Sequence, residues 1–392
     1  MLPYEENNGK GIYIHIPFCV RKCRYCDFLS FSAPEETKRS YVDALLNEIR
    51  NRKFPGSEGR VSSIFFGGGT PTLLGAEPLI RLLEAVRQRE DVCPDAEITL
   101  ECNPGTADGL AFLELKAAGF NRLSIGLQSA NEEELKKLGR IHSYDDYVRC
   151  VHDAGQAGFE NINTDLIYSL PGQTIASWRD TLRKVAAAGM EHVSAYSLNI
   201  EEGTPFWDLY HEDDLSRAQG RESRFLPGEE TERLMDEEAL EVLGAAGFER
   251  YEISNFSLPG KESVHNTGTW LRRDYLGFGL GAASLVSGGT VRMKNTDRMD
   301  RYLAGDWEDE SCREVLGEAD RMAEAMFLGL RLKEGVSAEY FRSKYKKDPE
   351  EIYPGPLKTF SDNGLLDCSG GRIRLTAKGR ALANVVMAEF LP

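Results

Sequence analysis

Six short apolar runs, separated by amphipathic stretches of helical length, occupy residues 11–200 and restrict the fold more than any other feature of the chain. The strand candidates are 11–16, 61–66, 97–101, 122–127, 161–167 and 192–198. Between them lie helical patterns at 36–52, 77–89, 109–118, 144–157 and 175–188. Strands alternating with helices pair in parallel through right-handed crossovers, which makes this an α/β protein. About six units suit an incomplete (β/α)6 barrel better than a full eight-stranded one. The alternation alone also fits a doubly wound sheet. In either architecture the chemistry belongs at the C-terminal ends of the strands.

The first such end carries three cysteines, Cys19, Cys23 and Cys26, spaced C-x3-C-x2-C just after the run 11–16. Soft thiolates suit iron–sulfur chemistry, and three on one loop can hold three irons of a [4Fe–4S] cluster. The fourth iron then has no partner in the motif and can take a ligand. A zinc site would need a fourth ligand, and no second C-x2-C pair or histidine couple follows. A disulfide framework belongs to short secreted chains, and this one has 392 residues.

Other strand ends are polar in a consistent way. Gly67-Gly68-Gly69-Thr70-Pro71 follows the second run, Glu101 ends the third and Gln128 the fourth, with Arg140 twelve residues on, and Asp165 lies in the fifth. Glycines let the backbone approach a ligand, and their amides can receive a carboxylate. Taken singly, each of these residues reads as an ordinary turn or strand end.

Taken together they resemble the radical S-adenosylmethionine (SAM) enzymes. The segment Tyr13-Ile-His-Ile-Pro-Phe-Cys19 resembles, more narrowly, the oxygen-independent coproporphyrinogen III oxidase family and its haem-chaperone branch, and the likeness runs along nearly the whole chain. The resemblance implies a cluster whose unique iron binds the amino and carboxylate groups of SAM. It implies Gly68, Gly69 and Thr70 at the methionyl end of SAM, with Glu101, Gln128, Arg140 and Asp165 completing the shell. Tyr13 and Tyr25 match aromatic positions beside the cluster, where shielding or adenine contact is implied; core packing remains open for Tyr13. A reductant such as flavodoxin or ferredoxin is the implied electron donor.

Three features separate the decarboxylases of that family from its haem-chaperone branch. The decarboxylases carry a fourth cysteine two positions after the third, and here that position is Phe28. They also carry an N-terminal arm, whereas eighteen residues precede Cys19. The chaperone branch has an H-N-x-x-Y-W haem motif, matched here by His265-Asn266-Thr267-Gly268-Thr269-Trp270 except that Thr269 replaces the tyrosine. Imidazole is a normal axial ligand of haem iron, so His265 is the haem candidate and Tyr275 a possible substitute aromatic. The expected function is a chaperone that binds haem and delivers it to an acceptor protein. The alternative is radical decarboxylation of coproporphyrinogen III, or another radical reaction on a tetrapyrrole.

The formal charge of −16 argues against nucleic acid as the main partner. No run of eighteen apolar residues exists to span a membrane, and no targeting segment precedes the first strand, so a reducing cytoplasm is the expected compartment. The remaining cysteines, Cys93, Cys102, Cys150, Cys312 and Cys368, show no ligand spacing and read as packing residues.

Beyond residue 200 the pattern changes. Residues 201–224 are acidic and poor in apolar side chains, and read as a surface excursion. The stretch 201–295, carrying the haem motif, is assigned to the barrel unit 1–295. Glycines 277, 279 and 281 alternate without a complete dinucleotide fingerprint, which favours tight packing. Residues 313–392 read as three helices, a hairpin around Gly370-Gly371 and a helix at 376–388: a small winged-helix-like domain without a basic recognition stripe.

Overall fold

The computed structural model describes residues 9–391. Strands β1 (Lys10–Ile16), β2 (Val61–Gly68), β3 (Val92–Cys102), β4 (Arg122–Gln128), β5 (Ile162–Tyr168) and β6 (His192–Ser197) lie side by side in chain order, all parallel. Helices α1 (Glu35–Asn51), α2 (Ala76–Arg89), α3 (Gly109–Ala118), α4 (Glu132–Leu138), α5 (Tyr144–Gln156) and α6 (Ile175–Ala187) connect them.

The strands alternate rather than run continuously apolar. Ile12, Ile14 and Ile16 of β1, Ile64 and Phe66 of β2, Ile98 and Leu100 of β3, and Leu123, Ile125 and Leu127 of β4 all belong to one large buried core. The intervening residues include His15, Ser63, Glu97, Glu101, Arg122 and Ser124, and these line the opposite, concave face. Period-two side-chain direction thus gives an apolar convex face under the helices and a polar interior. The helices match it: Tyr41, Val42, Leu45, Leu46 and Ile49 form the buried stripe of α1. A capping box between Ser143 and Asp146 starts α5.

Residues 201–295 are not an excursion. Strands β7 (Glu249–Arg250) and β8 (Asn255–Ser257) add antiparallel to the β6 edge. On the other edge β9 (Tyr275–Phe278) pairs parallel to β1, followed by the antiparallel β10 (Ala283–Val286), β11 (Val291–Lys294) and β12 (Glu314–Val315). The sheet therefore has twelve strands among the described residues, and the six-unit barrel is its centre. The alternating glycines serve tight packing at the β9 end: a Cβ on Gly277 would meet the Ala283 carbonyl at 2.0 Å, and one on Gly279 the His15 carbonyl at 2.5 Å.

Residues 201–224 lie mostly on the surface, as expected, but are anchored at one point. Helix α7 (Pro205–Ala218) buries Phe206, which packs with Leu138, Ile167, Leu170, Leu198 and Leu226, and with Tyr25 of the cysteine loop. Its acidic residues hide that anchor in the sequence. Helix α8 (Glu229–Ala245) follows, and Glu232 accepts from Ser169, Ser197 and Arg217, tying α7 to the ends of β5 and β6.

Two short helices come next, α9 (Val264–Trp270) and α10 (Met299–Leu303), then α11 (Glu318–Gly329). From α11 onward the chain builds a second core that includes Met326, Phe341, Leu366, Ile373 and Phe390. Strands β13 (Val336–Ser337), β14 (Leu366–Asp367) and β15 (Arg372–Leu375) form a separate sheet in the order β13-β15-β14. The final helical stretch is two helices, Ala377–Ala381 and Ala383–Ala388, separated at Leu382. No helix among the described residues is long and apolar enough to cross a membrane.

Candidate cluster and ligand site

The cysteine loop leaves the C-terminal end of β1 and is fastened to the end of β2. Gly69 donates its amide to the Ile16 carbonyl at 2.8 Å, and Thr70 to the Phe18 carbonyl at 2.7 Å. Gly68 donates to Glu101 Oε2 at 2.9 Å. All three amides are used inside the protein, and the carboxylate that the Gly68 amide receives in this structure is that of Glu101. The glycines are required nonetheless. Gly68 adopts φ +113°, and a Cβ there would meet the His15 ring at 2.4 Å; one on Gly69 would meet the Phe18 carbonyl at 2.6 Å.

Each cysteine has a polar neighbour. Thr70 Oγ1 donates to Cys19 Sγ at 3.7 Å, Arg140 Nη1 to Cys23 Sγ at 3.5 Å, and Ser30 Oγ lies 4.0 Å from Cys26 Sγ. Among the described residues no three His, Cys, Asp or Glu side chains converge tightly enough to hold a single metal ion. The thiols are instead spread along one loop, a donor set that fits a cluster bringing its own sulfides.

Behind the loop the shell residues join into one network. Asn103 donates to Thr70 Oγ1 at 2.7 Å and accepts from Arg140, which also donates to the Gly126 carbonyl. Arg140 Nε is buried with no partner in the protein. Gln128 stands at φ +71°, at a register shift between β4 and β5, a strained position for a residue with a Cβ. Asp165 accepts from Ser124 at 3.0 Å and Asn163 at 2.8 Å. Burial first, and the Asp165 charge second, push the Glu101 carboxyl up to about 8. Burial raises Asp165 as well, against its hydrogen bonds. Two buried carboxyls and an unpartnered guanidinium nitrogen at one end of the barrel suit a zwitterionic ligand with an ammonium and a carboxylate.

Two residues that sequence reasoning left out, Asn103 and Tyr196, belong here, beside His15, for which its place on the first strand leaves core and cluster-side roles open. Asn103 bridges the loop to Arg140. His15 accepts or donates at Tyr13 Oη (3.0 Å) and bonds the Leu29 carbonyl (2.9 Å), closing the loop behind Cys26 and giving Tyr13 a structural partner. Tyr196, at the end of β6, is 39% exposed although it points into the barrel, which shows the mouth to be open. Only Asn103 had a signal, its place two residues after Glu101. Phe28, in the fourth-cysteine position, is 63% exposed at the lip.

His265 is not part of this group. Helix α9 closes the opposite end of the barrel, where Glu97 of β3 accepts from the amides of Val264 and His265. The His265 ring points inward, bonds Ser63 Oγ at 3.0 Å and lies against Phe65 and Tyr13. Burial, then nearby Arg122, pushes its pKa down to about 4, so the ring is neutral at pH 7. The cavity beside it, lined also by Tyr275, measures about 10 Å³, room for one water and not for a macrocycle. Thr269, in place of the motif tyrosine, bonds the His265 carbonyl at 3.2 Å. Trp270 packs under Arg331, whose guanidinium carbon is 4.3 Å from the ring centroid.

Known proteins match this architecture. The radical SAM superfamily model matches residues 13–185, and the HemN C-terminal domain model matches residues 316–382. The chain is 36% identical to the haem chaperone HemW of Lactococcus lactis over 97% of this chain and 96% of that protein. It is 35% identical to HemW of Bacillus subtilis, covering 97% of this chain and 99% of the relative. The chain belongs to the HemW haem-chaperone family. Among solved structures, coproporphyrinogen III oxidase (HemN) of Escherichia coli superposes with a TM-score of 0.81 at 25% identity, over 98% of this chain and 90% of that one. HemW-family membership fixes the radical SAM fold, and with it the end of the barrel at which the cysteine loop stands.

Proposed function

We propose that this chain is a haem chaperone that carries a [4Fe–4S] cluster on Cys19, Cys23 and Cys26 and SAM in the mouth beside it, and delivers haem to an acceptor protein. The full-length identity to HemW proteins supports the reading, and one observation carries it within the site: the position where a decarboxylase has its fourth cysteine holds an exposed Phe28. A cluster held by these three cysteines would supply one-electron reducing chemistry to SAM bound beside it. The protein's own part would be to hold the ligand: Glu101 would receive its ammonium and Arg140 its carboxylate, with His15 tying the loop at Leu29. An acidic reductant such as flavodoxin or ferredoxin is the proposed donor.

For haem, His265 is the proposed axial ligand, reached when α9 swings outward. Thr267 Oγ1 and Trp270 Nε1, on the same helix, are buried without partners, which supports a ligand at that end. An anaerobic haem titration of cluster-loaded protein, read at the Soret band for wild type and His265→Ala, tests this. Stoichiometric binding that the substitution abolishes or shifts supports the assignment. Wild-type protein that binds no haem refutes the chaperone reading. SAM-dependent turnover of coproporphyrinogen III would then favour the decarboxylase, whose scaffold superposes at a TM-score of 0.81.

A further inference from the structure

Two of the cysteines without ligand spacing, 48 positions apart, meet beside the SAM-facing residues. Cys102 is the last residue of β3, directly after Glu101 and before Asn103; Cys150 lies on α5. Their Sγ atoms are 3.9 Å apart and both side chains are buried. Cys102 Sγ also donates to the Asn103 carbonyl at 3.4 Å and lies 3.8 Å from Thr106 Oγ1, which bonds Thr72 at 2.6 Å. Cys150 is the innermost wall of a surface cleft of about 390 Å³, bounded by Gly105, Thr106, Asp108, Arg149 and Asp153. The pair is therefore hidden from bulk water yet reachable from one side.

We propose that Cys102 and Cys150 form a reversible disulfide, made by small disulfide oxidants entering this cleft, and that closing it weakens SAM binding at the barrel mouth. The coupling is short. A bond needs the sulfurs to close from 3.9 Å to about 2.0 Å. That movement pulls on the residue between Glu101, which accepts from Gly68, and Asn103, which spans Thr70 and Arg140. Cys150 holds the Cys102 thiol below its usual range and is itself pushed well up by the same contact.

The exchange balances as follows. The Cys150 thiol gives its proton to solvent as its sulfur attacks one sulfur of the reagent RSSR, and the S–S bond of the reagent breaks. The departing RS⁻ takes the proton from Cys102. Cys102 then attacks the Cys150 sulfur and expels the second RS⁻, which is protonated by solvent. Two electrons pass from the cysteine pair to the reagent, which leaves as two thiols.

The SAM half of the proposal rests on the reading of the site given above, and the linkage half does not. Cluster-loaded protein would be treated anaerobically with glutathione disulfide, mapped by non-reducing peptide mass spectrometry, and titrated with SAM before and after. The expected result is a Cys102–Cys150 linked peptide, formed ahead of modification at Cys368, and SAM affinity reduced about fivefold or more. Dithiothreitol should reverse both. Cys150→Ser and, independently, Cys150→Ala should bind SAM as the untreated wild type does and ignore the oxidant. Glutathione on exposed Cys368 with no Cys102–Cys150 linkage overturns the proposal, as does a quantitative linkage that leaves SAM affinity unchanged. Untreated wild type that binds no SAM, with the linkage still formed, refutes the site reading and with it the proposed control.

Discussion

At the C-terminal mouth of the barrel, Cys19, Cys23 and Cys26 stand on one short loop fastened by backbone bonds to the end of β2, with Tyr196 exposed beside them. At the opposite end, His265 is turned inward on α9, bonded to Ser63 and stacked near Phe65 and Tyr13. The first motif is open, and its loop is fixed by bonds from the end of β2 and from Arg140. The second is closed and held by contacts from β2, β3 and Arg331. A ligand can enter the mouth as the chain stands, whereas at the floor it must displace packing that also contributes stability.

The most severe test removes the mouth and spares the floor. Cys19→Ser, Cys23→Ser or Cys26→Ser should each abolish the anaerobic visible absorption of the reconstituted cluster, while His265→Ala keeps it. Full iron and sulfide retained in any of the three serine variants would break the assignment. A lesser but still large effect is expected at Gly68→Ala. There the φ of +113° and the His15 ring at 2.4 Å give a side chain no room. The loss should be about 2–4 kcal/mol in urea unfolding, with poor cluster loading.

The two ends should also answer pH with opposite sign. A carboxyl raised in the folded state contributes stability below its unfolded value, and that stability is lost as pH climbs through the folded one. For Glu101 the window runs from the ordinary 4.5 up to about 8. The lowered His265 works the other way, its contribution present above 6.5 and lost as pH falls toward about 4. Urea melts of cluster-free protein across that range should show both limbs. Glu101→Gln should reduce the alkaline limb, in part only, because buried Asp165 and Glu48 are raised by burial as well. His265→Asn should reduce the acid limb only in part, because buried His192 and His142 shift in the same direction. An alkaline limb unchanged by Glu101→Gln would show that another group sets it.

What could be read from the sequence followed the same division. Each of the six parallel strands announced itself as a short apolar run between helical patterns, and the cysteine loop, glycine turn and strand-end polar residues are all local features. The rest depends on contacts between distant positions. Residues 201–224 look like a surface excursion because Phe206, Trp207 and Tyr210 are diluted by acidic neighbours; only the facing cluster of Leu138, Leu170 and Leu198 shows that α7 is anchored. Strand β9 joins β1 across more than 250 residues, and no pattern in Tyr275–Phe278 says which edge it takes. The motif match at His265 was visible, but its inward orientation was not, since helix α9 is placed by Glu97.

Trp270→Phe makes the finest distinction between the two ends. The ring lies 4.3 Å under Arg331, and its buried Nε1 has no partner in the protein. Phenylalanine keeps a ring there with a weaker attraction for the cation, a loss of up to about 1 kcal/mol. It also removes a buried N–H that goes unsatisfied, which offsets part of that loss. Net stability should therefore change by less than about 1 kcal/mol. Haem affinity is the sharper readout. If α9 opens to present this N–H to the ligand, losing one hydrogen bond should weaken haem binding roughly fivefold, about 1 kcal/mol, without disturbing the cluster at the far end. Unchanged haem affinity would mean that Trp270 serves only the seam with the C-terminal domain, leaving His265 to account alone for the motif.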